Sequence, residues 1–174
     1  MATEVASKYS KTARKKAAKI LQKAHDYIEQ NGFDIQSYGR SSGYVSRCYL
    51  GTLRTVAGLD AEPVGGTHGY DDYADATEGD GPELILAMET LDKVAKPRLA
   101  PLMKKYGEPS DTKSPESFEV ATGRYIEAVG LLFDHKNQEK YGYGHPKVDD
   151  ASRADALKML RKALTELYAT GDLA

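Results

Sequence analysis

The chain of 174 residues has no tryptophan and a single cysteine, Cys48. One cysteine excludes an intramolecular disulfide framework and any zinc finger built on cysteines, and it fits a reducing compartment. No window approaches the roughly 18 uninterrupted apolar residues of a membrane span, and the basic N-terminal run MATEVASKYSKTARKK has no apolar stretch behind it. A soluble, cytoplasmic protein that does not engage a membrane is the expectation. Neither sign of charge is in excess: 24 basic residues against 26 acidic ones give a formal net charge of -2. The whole molecule therefore has no field that calls for nucleic acid, and any electrostatic function must be local. The four histidines, His25, His68, His135 and His145, fall in no HExxH or HxH spacing. The glycine pairs Gly65-Gly66 and Gly142/Gly144 lack the Gly-Lys-Ser/Thr sequence that gives a phosphate loop its mechanism, and they read as turn glycines. Sustained alternation of apolar residues and a repeat of fixed period are also missing.

What is present is helical periodicity. After a flexible stretch 1–9, Ser10 or Thr12 can cap a helix whose apolar face runs Ala13, Ala17, Ile20, Leu21, Ala24, Tyr27 and Ile28, ended by Asn31-Gly32. A second helix carries Val45, Cys48, Tyr49, Leu53 and Val56 inward and is closed by Gly58. Gly51 inside it costs about 1 kcal/mol relative to alanine, which points to a close-packed position. Gly81-Pro82-Glu83 opens a third helix through Leu84, Ile85, Met88, Leu91 and Ala95, and Pro97 stops or kinks it. A fourth helix starts at Ser114-Pro115-Glu116 and turns Phe118, Ala121, Tyr125, Ala128, Val129 and Leu132 inward. Residues 134–150 read as a polar connection, and Ser152 caps a last helix with the stripe Leu157, Leu160, Leu164, Leu167 and Tyr168. The expectation is an all-α fold: one domain over residues 10–174, a bundle of about five helices with two long polar loops.

The order of these segments resembles a family of small actinobacterial and actinophage proteins. In that family a first helix ending at Asn/Gly is followed by a tyrosine-bearing loop, an Arg-Cys-x-x-Gly-x-Leu helix ending in Ala-Gly, and a Leu-rich last helix. The matching residues here are Ile20 to Gly32, Tyr38, Arg47-Cys48-Tyr49-Leu50-Gly51-Thr52-Leu53, Ala57-Gly58 and Ala154 to Leu167, about half the chain. Members often carry a Trp-Asn-Asp element before the last helix, whose counterpart here would lie near Tyr141 to Asp150. The family has no established activity, so the resemblance implies fold and origin and no chemistry.

Four features bear on function. Cys48 could serve as a thiol nucleophile, but its helical neighbours at 45, 49 and 52 offer no base, and a lone cysteine at core spacing reads as a small buried hydrophobe. From Thr55 to Asp92 ten acidic residues occur without one Lys or Arg. Within that stretch, His68 with Asp71, Asp72 and Asp75 forms the best local set for a hard divalent ion, with Asp134-His135 of the other polar stretch as the alternative, although the calcium-loop pattern is absent and a solvated acidic loop accounts for them as well. No cofactor is expected. Along the first helix Lys11, Lys15, Lys19 and Lys23 recur every fourth residue, with Arg14 and Lys16 beside them. Such a row repels itself by tenths of a kcal/mol per pair and wants solvent, an acidic partner or phosphate; it could track a nucleic-acid backbone. Finally, 12 tyrosines stand against 3 phenylalanines. Tyr70, Tyr73, Tyr141 and Tyr143 fall among loop residues, where rigid rings with polar tips suit recognition better than packing. The reading that follows is a non-enzymatic module that binds another protein through Tyr70, Asp71, Asp72, Tyr73, Asp75, Tyr141 and Tyr143. The alternatives are a nucleic-acid-associated protein that uses Lys11, Arg14, Lys15, Lys19 and Lys23, and a metal-dependent hydrolase around His68. Self-association stays open.

Overall fold

The structure, a computed structural model, describes residues 8–33, 48–59, 81–107, 124–169 and 173. These fold into an all-α, single-domain bundle: α1 (Lys11–Asn31), α2 (Tyr49–Val56), α3 (Pro82–Tyr106), α4 (Arg124–Tyr141) and α5 (Pro146–Tyr168). The long helix α1 packs on α5, α3 and the short α2, while α4 packs on α3 and α5; α2 also touches α3 and α4. Among the described residues no helix is long and apolar enough to cross a membrane.

α1 forms where its periodicity places it. The Ser10 side chain accepts the Ala13 N–H at 3.1 Å, and Gly32 ends the helix at φ 87°, its N–H bonded to the Ile28 carbonyl at 2.8 Å. A cap of this kind contributes about 1 kcal/mol. Ala17, Leu21, Ala24 and Ile28 face inward and meet Leu53, Leu91 and Leu160 in one core. Each such leucine or isoleucine contributes roughly 2 kcal/mol through area withdrawn from water.

Cys48 lies in that core at 2% exposure and, beyond packing, is the N-cap of α2: its sulfur accepts the Gly51 N–H at 3.4 Å. The helix therefore begins at Tyr49 and not near Val45 as its spacing predicted, since Cys48 is extended at ψ 175°; Val45 and Arg47 lie outside the described residues. The ring of Tyr49 packs on Phe33, just past the end of α1, with centroids 4.7 Å apart.

Three further expectations are corrected. Pro97 does not stop α3, since the helix runs on through Pro97 and Pro101 to Tyr106. Both prolines are exposed. The carbonyls they deprive of a donor, those of Lys93 and Pro97, thus sit on the solvent side, where water can satisfy them. Second, the polar stretch after Leu132 is helix as far as Tyr141, and the long connection expected over 134–150 shrinks to residues 142–145. Its polar side chains are used within and between helices: Gln138 donates to Asp134 one turn away at 2.6 Å, Lys136 pairs with Asp155 at 2.7 Å, and buried Asn137 donates to Ser152 at 3.0 Å. Third, Ser152 is therefore an interior residue of α5. The cap is His145, whose Nδ1 accepts the Lys147 N–H at 3.1 Å, followed by Pro146 in the first turn. The expected start of the fourth helix, Ser114 to Ala121, lies outside the described residues. Near the start of α4, a carboxylate from another helix acts as a cap: Asp92 of α3, itself buried, accepts the Ile126 N–H at 3.2 Å.

Candidate functional site

Two surfaces hold side chains that the fold does not explain by itself. The first is an open groove of about 310 Å³ between α1, the end of α2 and the start of α3. One wall is basic. Lys16, Lys19 and Lys23 project from two turns of α1, all exposed, and Ile20 lies between them. The facing wall is apolar: Val56 and Ala57 at the end of α2, and Leu59 beyond Gly58, which takes φ 83° to turn the chain out of the helix. Leu59 is 41% exposed. Buried Leu84 and Glu83 are also among the lining residues, the Glu83 carboxylate folded back over Gly81, about 3.1 Å from where a Cβ would sit. Among the described residues Lys16, Lys19 and Lys23 make no ion pair.

The structure thus brings Lys19 and Lys23 of the expected row into one groove with Lys16, while Lys11 and Lys15 are exposed outside its lining. Arg14 turns back, its Nε donating to the Tyr9 carbonyl at 3.3 Å. The apolar wall is what sequence reasoning missed. Its one local sign is a leucine placed directly after the Gly58 stop, where a polar residue would have served the turn.

The second surface is the α4–α5 turn. Gly142 and Gly144 adopt φ 98° and 75°, values that L side chains rarely take, and the turn is closed by bonds from Gly142 N–H to the Gln138 carbonyl and from His145 N–H to the Gly142 carbonyl. Tyr141 and Tyr143, paired in the sequence reading, have different environments. Tyr141 is half-buried, stacked on His145 at 6.2 Å with the Lys140 ammonium 5.1 Å from its ring centroid. Tyr143 is 91% exposed. Tyr70, Asp71, Asp72, Tyr73, Asp75 and His68 lie outside the described residues.

One group with metal-ligand chemistry assembles where none was expected. His25, Asp26 and Glu29, at spacing i, i+1, i+4 on α1, bring ligand atoms within 4.8 Å of one another. The imidazole is already engaged, with Nδ1 3.4 Å from Asp26 Oδ1 and Nε2 3.1 Å from an Arg161 guanidinium nitrogen. Arg161 can only donate, so Nε2 accepts and Nδ1–H faces the carboxylate. That arrangement ties α1 to α5, and the guanidinium stands where it would repel a cation on Nε2.

Neither a curated protein nor a solved structure matches the chain. The model of a family of unknown function, DUF6197, does match, over residues 12–170, from the first turn of α1 to just past the end of α5, and the chain belongs to that family.

Proposed function

We propose that this protein is a non-enzymatic helical module that binds another protein, with the tyrosines of its connections as the contacting side chains. The observation that carries the reading is Tyr143, 91% exposed at the apex of a four-residue turn whose backbone is held by Gly142, Gly144 and the His145 cap. A ring so exposed contributes nothing to the core, and burying an aromatic side chain is worth about 1.5–3 kcal/mol. Presented on a rigid turn, it also loses little conformational freedom on contact, which lowers the entropic cost of association. Tyr70, Asp71, Asp72, Tyr73 and Asp75 enter the same proposal from the sequence. An actinobacterial or phage origin, which the resemblance of Arg47 to Leu53 implies, would make the partner a protein of the host cytoplasm.

A photoreactive aromatic amino acid in place of Tyr143 should crosslink a discrete partner in host cells. With that partner in hand, Tyr143→Ala should weaken binding by about 2 kcal/mol, roughly 30-fold in affinity, and leave the melting temperature unchanged. A partner indifferent to the substitution would show that Tyr143 is only a solvated turn residue.

A further inference from the structure

The α1–α2–α3 groove sets a row of like charges beside aliphatic surface: Val56 and Ala57 are half-buried against the core, and Leu59 stands exposed beyond them. Lys16, Lys19 and Lys23 repel one another within two turns of helix, and among the described residues no carboxylate pairs with them. Opposite them stands Leu59, 41% exposed, on a wall continued by Val56 and Ala57. We infer that this groove binds an acidic amphipathic peptide segment of a partner protein, with its carboxylates against the lysines and its aliphatic side chains against Ile20, Val56 and Leu59.

The dimensions suit a short helix. Lys16 to Lys23 spans seven residues, about 10 Å along the axis at 1.5 Å per residue, and a peptide helix with acidic residues at i, i+4 and i+7 presents charges over the same length. The lysines would set encounter rate and orientation, and the aliphatic contact would set residence. A nucleic acid matches less of the surface. A phosphate backbone has no aliphatic face to cover Val56 and Leu59, the described lining residues include no aromatic ring on which a base could stack, and a polyanion would meet the Glu83 carboxylate among them. The inference is independent of the tyrosine turn, since the two surfaces share no residue.

Fluorescence anisotropy on the full chain tests it with three labelled probes: a helical peptide with a leucine face edged by glutamates, the same peptide with each leucine replaced by serine, and a short single-stranded DNA. The amphipathic peptide should bind, and the leucine-free peptide roughly tenfold more weakly or worse. Lys19→Glu combined with Lys23→Glu should weaken binding by a similar factor, Leu59→Ser by a smaller one, and Tyr143→Ala should leave it unchanged. These positions are exposed, and circular dichroism would show the variants folded. Equal binding of the two peptides would reduce the groove to a charged patch and overturn the inference. Tighter binding of the oligonucleotide, with log affinity falling linearly in log salt, would assign the lysines to nucleic acid instead. Binding that emerges only after Asp71, Asp72 and Asp75 are changed to Asn would mean that the chain's own acidic stretch occupies the groove, and absence of binding in every form would overturn the inference outright.

Discussion

Tyr9 shows how one side chain can fix the entry of a helix. Its hydroxyl donates to Glu89 Oε2 at 3.0 Å, joining the approach to α1 with the middle of α3 across 80 residues of sequence. Partial burial first, and then the hydrogen bond and the charge of Glu89, push the phenol up to about 12 from its ordinary 10.0. Tyr9→Phe should cost about 1 kcal/mol near neutral pH, the net value of one such bond. The folded-state value lies above the unfolded one, so this contribution is complete below pH 10 and is lost as pH rises toward 12. Melting temperatures of the two proteins should therefore converge over that window, and an unchanging gap would show that the bond is not what separates them. Cys48 illustrates what can be read at this scale. Its burial was expected, but from a helical spacing that does not hold, because Cys48 is extended at the N-cap; its duty as a cap was not expected, because cysteine is not among the usual capping residues. The sulfur takes the position since the site is closed to water, where a serine hydroxyl would need a second partner.

At the scale of elements the informative cases are α3 and α4. An interior proline costs about 3 kcal/mol through a lost hydrogen bond and a ring that crowds the carbonyl four residues back; at the exposed Pro97 and Pro101, one turn apart, water can take the place of the missing donors and lessen that cost. Restoring the two N–H donors with Pro97→Ala and Pro101→Ala should stabilise the protein by roughly 1–3 kcal/mol, less the entropy returned to the unfolded chain. Thermal melts of the double variant would measure it, and a lower melting temperature would indicate that the prolines shape α3 for its neighbours. α4 was harder to read for a related reason. Asp134, Asn137, Gln138 and Tyr141 have the composition of a connection, and the pairs that sustain helix there, Lys136–Asp155 and Asn137–Ser152, reach residues 15 to 19 positions away. Tertiary partners outweighed local propensity. The stripe of α1 was legible from its own leucine and alanine period; that of α5 was legible at Leu160, Leu164 and Leu167, but Tyr168, read as its last member, is 52% exposed, and Leu157 is half-buried.

On the scale of the whole molecule, the all-α bundle was readable and the groove was only half so. Lys19 and Lys23 declare themselves by spacing, but the wall opposite them comes from Val56, Ala57 and Leu59, and the lining also takes in Leu84, all residues more than 30 positions down the chain. A surface shared by three helices leaves no local signal. The tight α4–α5 turn, by contrast, bears on how the bundle assembles in time. Four residues separate Tyr141 from Pro146, so joining these helices closes a very short loop, whereas α1 must find α5 across as many as 136 residues, the separation of His25 and Arg161. Loop-closure entropy grows with length, and local contacts form before distant ones reward it. The helical hairpin of α4 and α5 is accordingly expected to be the folding nucleus, with α1 docking late. Stopped-flow kinetics would then show Val148→Ala and Ala156→Gly slowing refolding nearly in proportion to their loss of stability, while Leu21→Ala and Ile28→Val chiefly hasten unfolding. The reverse pattern would place the nucleus on α1, and the two glycines at 142 and 144 would then have no kinetic consequence.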